Sequence, residues 1–120
     1  KIKGTDNTLL CTDSLAIAGT DIKEGVMSGT DFIVEDGVCK LKDRSAFAGS
    51  VATADRLVRV MVRECGFDMV SAVKMITETP ARISKIKAGR FEKGYRADIV
   101  VFDDDIRIGT VFVGGKAVLR

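Results

Sequence analysis

A chain of 120 residues is long enough for one compact domain and too short for two ordinary ones. Hydrophobic residues at 46% exclude a disordered chain, and a net charge of +2 without a clustered basic stripe argues against a nucleic-acid partner. The absence of histidine excludes a self-contained Ser/His/Asp triad, a Cys/His pair, a His-ligated zinc site and a histidine general base.

With no Trp, one Tyr and six Phe, the core must be mainly aliphatic. Cys11, Cys39 and Cys65 are widely spaced, odd in number and contain no C-x-x-C pair, so neither a disulfide framework nor a four-cysteine metal site is expected. That pattern suits a reducing cytoplasm. No apolar run approaches the roughly 18 residues of a membrane span, so no membrane partner is expected. The opening Lys1-Ile2-Lys3-Gly4 has neither an initiating Met nor a signal-peptide pattern, and a piece of a longer protein is expected.

Along the chain, residues 8–13 (Thr-Leu-Leu-Cys-Thr-Asp) form a continuous apolar run ending in polar residues, the pattern of a strand buried on both faces in a parallel sheet. Small residues and Gly19, Gly25 and Gly29 then predict a long loop over 14–30. Asp36-Gly37 between two β-rich arms predicts a two-residue type I′ hairpin over 31–42. Its register pairs Val34 with Cys39 and Phe32 with Leu41 on an apolar face, and Glu35 with Val38 and Ile33 with Lys40 on a mixed one. The hairpin should therefore lie on something, in a structural role.

Ala54, Leu57, Val58, Met61, Val62 and Cys65 recur at helical spacing over 53–66, with Thr53 as N-cap, Gly66 as stop and Cys65 in the core. Asp68 caps a second helix over 68–78 with the stripe Met69, Ala72, Val73 and Ile76. Pro80 ends it near Glu78 and restarts a turn with Thr79 as cap and Pro80 in the first position. Residues 97–102 predict a strand, 103–105 a turn, and 107–113 with 116–119 a hairpin around Gly114-Gly115.

The candidate chemistry is sparse. Asp13 stands where a buried strand gives way to a loop, the end that carries ligand and catalytic groups in parallel α/β folds; an Asx turn is the alternative on spacing alone. Phe47-Ala48-Gly49-Ser50 precedes the first long helix, where small residues allow close approach to a ligand and helix N-termini attract anions; a tight turn is the alternative. Asp103-Asp104-Asp105 lacks the spacing and terminal Glu of a calcium loop and reads as a solvated turn. Arg82 is read as pairing with a nearby carboxylate or helix carbonyl.

Taken in order, the 9–13 Leu-Leu-Cys-Thr-Asp run, the Asp36-Gly37 hairpin, Phe47-Ala48-Gly49-Ser50 with Thr53, Thr79-Pro80-Ala81-Arg82, the 94–102 run Gly-Tyr-Arg-Ala-Asp-Ile-Val-Val-Phe and Val113-Gly114-Gly115 resemble the amidohydrolase superfamily. Pro-Ala-Arg and Gly-x-x-Ala-Asp-Ile-Val mark the superfamily broadly. The Thr-Asp strand end, the Asp-Gly hairpin and the Ala-Gly-Ser turn together resemble the C-terminal third of the N-acetylglucosamine-6-phosphate deacetylase family. This resemblance implies an α/β fold: the C-terminal fragment of a (β/α)8 barrel (last barrel strand and following helices) plus the C-terminal strands of a small β-sandwich. Residues 1–90 would belong to the barrel, with hairpin 31–42 and helices 53–66 and 68–78, and 91–120 to the sandwich. A full barrel needs about 250 residues, so the chain is expected to be incomplete as an enzyme.

By the same likeness Asp13 matches the family's catalytic aspartate, which takes a proton from a metal-bound water and passes it to the departing amine. Phe47 and Ala48 fall where the acetyl-sugar pocket is lined. The implied cofactor is a divalent metal, zinc or iron, whose Glu and His ligands have no counterpart in this sequence; no metal ligand is assigned to this chain. The implied partner is a small amino-sugar phosphate, and the whole protein is expected to be a cytoplasmic homodimer. Two departures, Thr79 in place of a usual Asn and Lys85 in place of a usual Gly, bear on helix ending rather than chemistry. On this reading the chain alone binds no catalytic metal and hydrolyses nothing. Two other readings stand beside it: a different amidohydrolase, dihydroorotase-like or adenine-deaminase-like, and a free-standing binding domain.

Overall fold

A computed structural model describes residues 2–119; Lys1 and Arg120, which open and close the two expected ranges, lie outside the described residues. Packing divides the chain into two units, one comprising Lys1–Cys11 with Asp55–Arg120 and the other Thr12–Ala54.

In the Thr12–Ala54 unit, β1 (Glu24–Met27), β2 (Thr30–Glu35), β3 (Val38–Leu41) and β4 (Phe47–Gly49) form an antiparallel sheet in that order. The turn between β2 and β3 has Asp36 at φ 53° and Gly37 at φ 71°, the doubly left-handed geometry whose twist matches that of the strands it joins. Its register pairs Phe32 with Leu41, Ile33 with Lys40, Val34 with Cys39 and Glu35 with Val38, as the alternation predicts. Phe32 and Cys39 on the apolar face are buried. Gly25 lies opposite Phe32, and a Cβ there would meet the Phe32 ring at 3.1 Å, so the glycine makes room for the aromatic side chain. On the mixed face Glu35 receives two hydrogen bonds from Arg44, at 2.6 and 3.1 Å, which hold its carboxyl below the usual range.

The expected long loop over 14–30 is corrected in part. Glu24–Met27 is a strand, closed onto β2 by a second turn with Ser28 at φ 51° and Gly29 at φ 80°. The Ser-Gly pair was the local signal, but a four-residue strand containing its own glycine is defined by its partner more than by its composition. The expected strand over 8–13 is also corrected: no ladder forms there among the described residues. Leu10 within the run and Leu15 just after it make backbone links, Leu10 N–H to the Met75 carbonyl at 3.0 Å and Leu15 N–H to the Ser50 carbonyl at 2.9 Å. A buried-type strand is an apolar run plus neighbours, and only the run is local.

The other unit includes a single 3₁₀ turn at Thr5–Asn7, α1 (Ala54–Arg63) from its second residue onward, α2 (Met69–Ile76) and α3 (Glu78–Ile83). It closes with the antiparallel sheet β5 (Ile99–Phe102), β6 (Ile108–Val113) and β7 (Lys116–Leu119), in that order. The two expected helical stripes pack into one core, with Val58 and Ala72 buried against Met61, Val62, Met69, Val73 and Ile76. The cap at Asp68 forms, its Oδ1 accepting the Ser71 N–H at 2.9 Å. Two local expectations are corrected. Cys65 is exposed, because α1 stops at Arg63 and takes it off the stripe; Gly66 at φ 69° then turns the chain away. Thr79 is not a cap: α3 starts at Glu78, Thr79 is buried inside it, and Pro80 still sits in the first turn, where its missing N–H costs nothing.

Ile106 joins this core from the loop after β5 and is 1% exposed although its φ is 61°, a rare conformation for a β-branched residue. The acidic trio explains how it is held. Asp103 Oδ1 accepts the N–H groups of Asp105 and Arg107, both at 2.9 Å. Those bonds hold its carboxyl below the usual range, with the Arg107 N–H contributing most. Arg59 donates to the Ile106 carbonyl at 2.9 Å, and Arg63 to the Asp104 carbonyl and the Asp105 carboxylate, both at 3.1 Å. Asp103–Asp105 is thus a turn clasped by α1. Arg82 donates to the Asp6 carbonyl, the bland role expected of it. No helix among the described residues is long and apolar enough to cross a membrane.

Two measurements check this packing. Met75 is fully buried, so Met75→Ala should lower unfolding free energy by about 2–5 kcal/mol in urea titrations. Val70→Ala, at a position 76% exposed, should stay within about 0.5 kcal/mol of the parent. Because the Asp103 carboxyl titrates below its unfolded value of 3.8, its contribution is present above that pH and is lost as pH falls toward the folded value. Asp103→Asn keeps an acceptor oxygen and removes the titration, so stability of the variant should fall less steeply on acidification below about pH 4, read by urea midpoints across a pH series.

Candidate active site

Asp13, Phe47 and Ala48 all lie in the Thr12–Ala54 unit. Asp13 is exposed and left-handed, with φ 47°, which bends the chain immediately after the 8–13 run. Aspartate tolerates this region better than most residues, and single left-handed residues cluster at functional sites. The next residue makes the connection that matters. Ser14 forms a parallel bridge with Ser50, and its Oγ donates to the Ala52 carbonyl. Ser50 Oγ in turn accepts the Ala52 N–H at 3.0 Å.

Ser50 directly follows β4, so the bridge brings the backbone beside Asp13 to the end of the strand that carries Phe47 and Ala48. The expected tight turn at 47–50 is corrected here, since Phe47–Gly49 is a strand at the edge of the sheet. It contains an irregularity: Cys39 pairs with Gly49 and the adjacent Lys40 with Phe47, leaving Ala48 as the extra residue of a bulge. Bulges re-aim side chains and are common beside active sites. Phe47 is 78% exposed and Ala48 half-buried, so an apolar ring and a small residue are presented at this edge.

Gly49 is required by the same arrangement. Its φ is 125°, and a Cβ on it would lie 2.8 to 3.0 Å from three atoms of the Leu15 side chain. Gly49 and Ser50 belong to the 47–50 segment that the sequence pattern singled out, whereas Ser14 and Leu15 were not singled out. The association of the two pairs joins segments far apart in the chain, and no local spacing encodes it.

The donors on this chain do not fit the divalent zinc or iron that the resemblance implies. There is no histidine, and among the described residues no three His, Cys, Asp or Glu side chains come together. What the site offers is one exposed carboxylate on a bent backbone, next to an edge strand with an exposed aromatic ring.

Comparison with known proteins agrees with the fold. Residues 5–118 match the amidohydrolase family, and the chain belongs to it. It is similar to an N-acetylgalactosamine-6-phosphate deacetylase of Shewanella sp. (strain ANA-3), with 32% identity over 97% of this chain and 29% of the relative. The crystal structure of an N-acetylglucosamine-6-phosphate deacetylase from Pasteurella multocida superposes with a TM-score of 0.89 at 27% identity, covering 96% of this chain and 31% of that one. An adenine deaminase of Methanothrix thermoacetophila is 39% identical over 55% of this chain and 12% of its own length. The chain therefore spans less than a third of the length of each of these relatives.

Proposed function

We propose that this chain is the C-terminal part of a deacetylase that hydrolyses an N-acetylated amino-sugar 6-phosphate, such as N-acetylglucosamine 6-phosphate, to the free amino-sugar phosphate and acetate. The observation that carries the reading is the structural likeness to the Pasteurella multocida deacetylase over 96% of the chain. Residues 1–90 would then complete a (β/α)8 barrel, with 8–13 becoming its last strand once parallel neighbours supply the ladder. Residues 91–120 would complete a β-sandwich. The whole protein would be a cytoplasmic homodimer.

In this reaction water adds to the acetyl carbonyl carbon and the carbon–nitrogen bond breaks. The water oxygen leaves in acetate, and a proton must reach the departing amine. Asp13 suits both proton movements, since an ionised carboxylate accepts a proton from the attacking water and, once protonated, donates it to nitrogen. Phe47 and Ala48 would line the acetyl-sugar pocket, the ring offering an apolar face to the sugar. A zinc or iron ion, as the family resemblance implies, would be held by groups other than those described in this chain.

A second reading has one observation in its favour, the likeness to an adenine deaminase over 67 residues. That chemistry also adds water to a carbon bearing nitrogen, and it releases ammonia in place of acetate.

The test uses the whole protein that carries this segment, assayed for acetate from N-acetylglucosamine 6-phosphate and for ammonia from adenine. Acetate is the expected product, and Asp13→Asn should lower kcat by about 10²–10⁴-fold with KM little changed. Ammonia without acetate overturns the deacetylase reading in favour of the second. The 120-residue chain alone, given zinc or iron, should release no acetate.

A further inference from the structure

We infer that Ser14 and Gly49 are positioning residues for Asp13: they hold its backbone in the bent conformation from which its carboxylate meets the substrate. This rests on the deacetylase reading for its chemistry, and on the geometry of the Thr12–Ala54 unit for its mechanics.

A carboxylate that serves one proton to two atoms in succession must be placed to a fraction of an ångström, and small misplacements are costly to rate. Asp13 is exposed, so packing among the described residues does not fix its side chain that closely. The constraint therefore has to come through the backbone. On the C-terminal side of Asp13 two links converge within two residues. The parallel Ser14–Ser50 bridge includes the Leu15 N–H bond to the Ser50 carbonyl at 2.9 Å, and the Ser14 hydroxyl is separately tied to the Ala52 carbonyl.

These links close only because the two segments approach tightly. The Leu15 side chain occupies the space a side chain at position 49 would need, with contacts of 2.8, 2.9 and 3.0 Å to a hypothetical Cβ. Three atoms are involved, so the whole isobutyl group would have to move, not just its tip. The φ of 125° at Gly49 adds a backbone penalty for any other residue. A methyl at 49 thus pushes Leu15, and Leu15 carries the push to Ser14 and Asp13. Loss of the Ser14 hydroxyl acts on the same joint by a different route, releasing one tie without adding bulk.

Two measurements test the assignment. In the whole protein that carries this segment, selectively labelled at aspartate, NMR reads the intraresidue amide–Hα NOE of Asp13, which is strong at positive φ and weak in extended backbone. In the whole protein, steady-state kinetics on N-acetylglucosamine 6-phosphate separate kcat from KM. Ser14→Ala and Gly49→Ala should weaken the NOE and lower kcat by about 10- to 100-fold while KM holds. Ser14→Thr, which keeps the hydroxyl at an exposed position, should restore both readouts. An unchanged NOE in Ser14→Ala and Gly49→Ala overturns the inference whatever the activity. A weakened NOE with wild-type kcat, where Asp13→Asn is inactive, overturns it as well. If the whole protein releases no acetate, the deacetylase reading has failed, and the NOE series alone decides whether Ser14 and Gly49 hold Asp13. Should Gly49→Ala not fold, the Ser14→Ala and Ser14→Thr pair carries the comparison.

Discussion

The short parallel bridge between Ser14 and Ser50 is the contact on which the site depends. It converts a bend at one aspartate into a fixed relation between that aspartate and an edge strand distant in sequence. The two segments supply little else in common: one is an apolar run that finds no ladder among the described residues, the other a three-residue strand with a bulge. Each is weak alone. Joined, they share a hydroxyl tie, a backbone hydrogen bond and a close approach that only glycine permits.

The same economy of left-handed residues shapes the rest of the chain. The turns between β1 and β2, β2 and β3, and β6 and β7 each place two consecutive residues at positive φ, which gives the twist that antiparallel strands need. At Ile106 the same backbone region serves packing instead. There the loop aims a large side chain into the helical core, while Asp103 and two arginines of α1 hold the bend in place. Exposed ion pairs of this kind contribute little individually, so the loop is better understood as hydrogen-bonded backbone than as a charge network.

Membership of the amidohydrolase family places these features in a larger frame without supplying what this chain lacks. A family whose members are generally metal-dependent needs ligands, and this sequence has no histidine and no described cluster of acidic and thiol groups to provide them. On the proposed reading, a carboxylate on one segment and an aromatic ring on another would be parts of a site, and the chain spans less than a third of each of these relatives.

How much of this was legible depends on how far apart the interacting residues are. The Asp36-Gly37 hairpin, its register, the Asp68 cap and the stripes of α1 and α2 follow from neighbours within a few positions, because turn geometry and helical period are local. Cys65 and Thr79 were misplaced by only a residue or two, since helix ends are set by competing caps more than by the stripe. Strand Glu24–Met27, the bulge at Ala48 and the missing ladder at 8–13 needed partners that sequence order does not reveal. From the sequence alone came the Asp36-Gly37 and Gly114-Gly115 turns, the helices, the family likeness and Asp13 as a candidate carboxylate. Tertiary structure alone decided that Asp13 is bent toward Ser50 and that Gly49 must be bare, because hydrogen bonding and steric exclusion between distant segments exist only once the chain has folded.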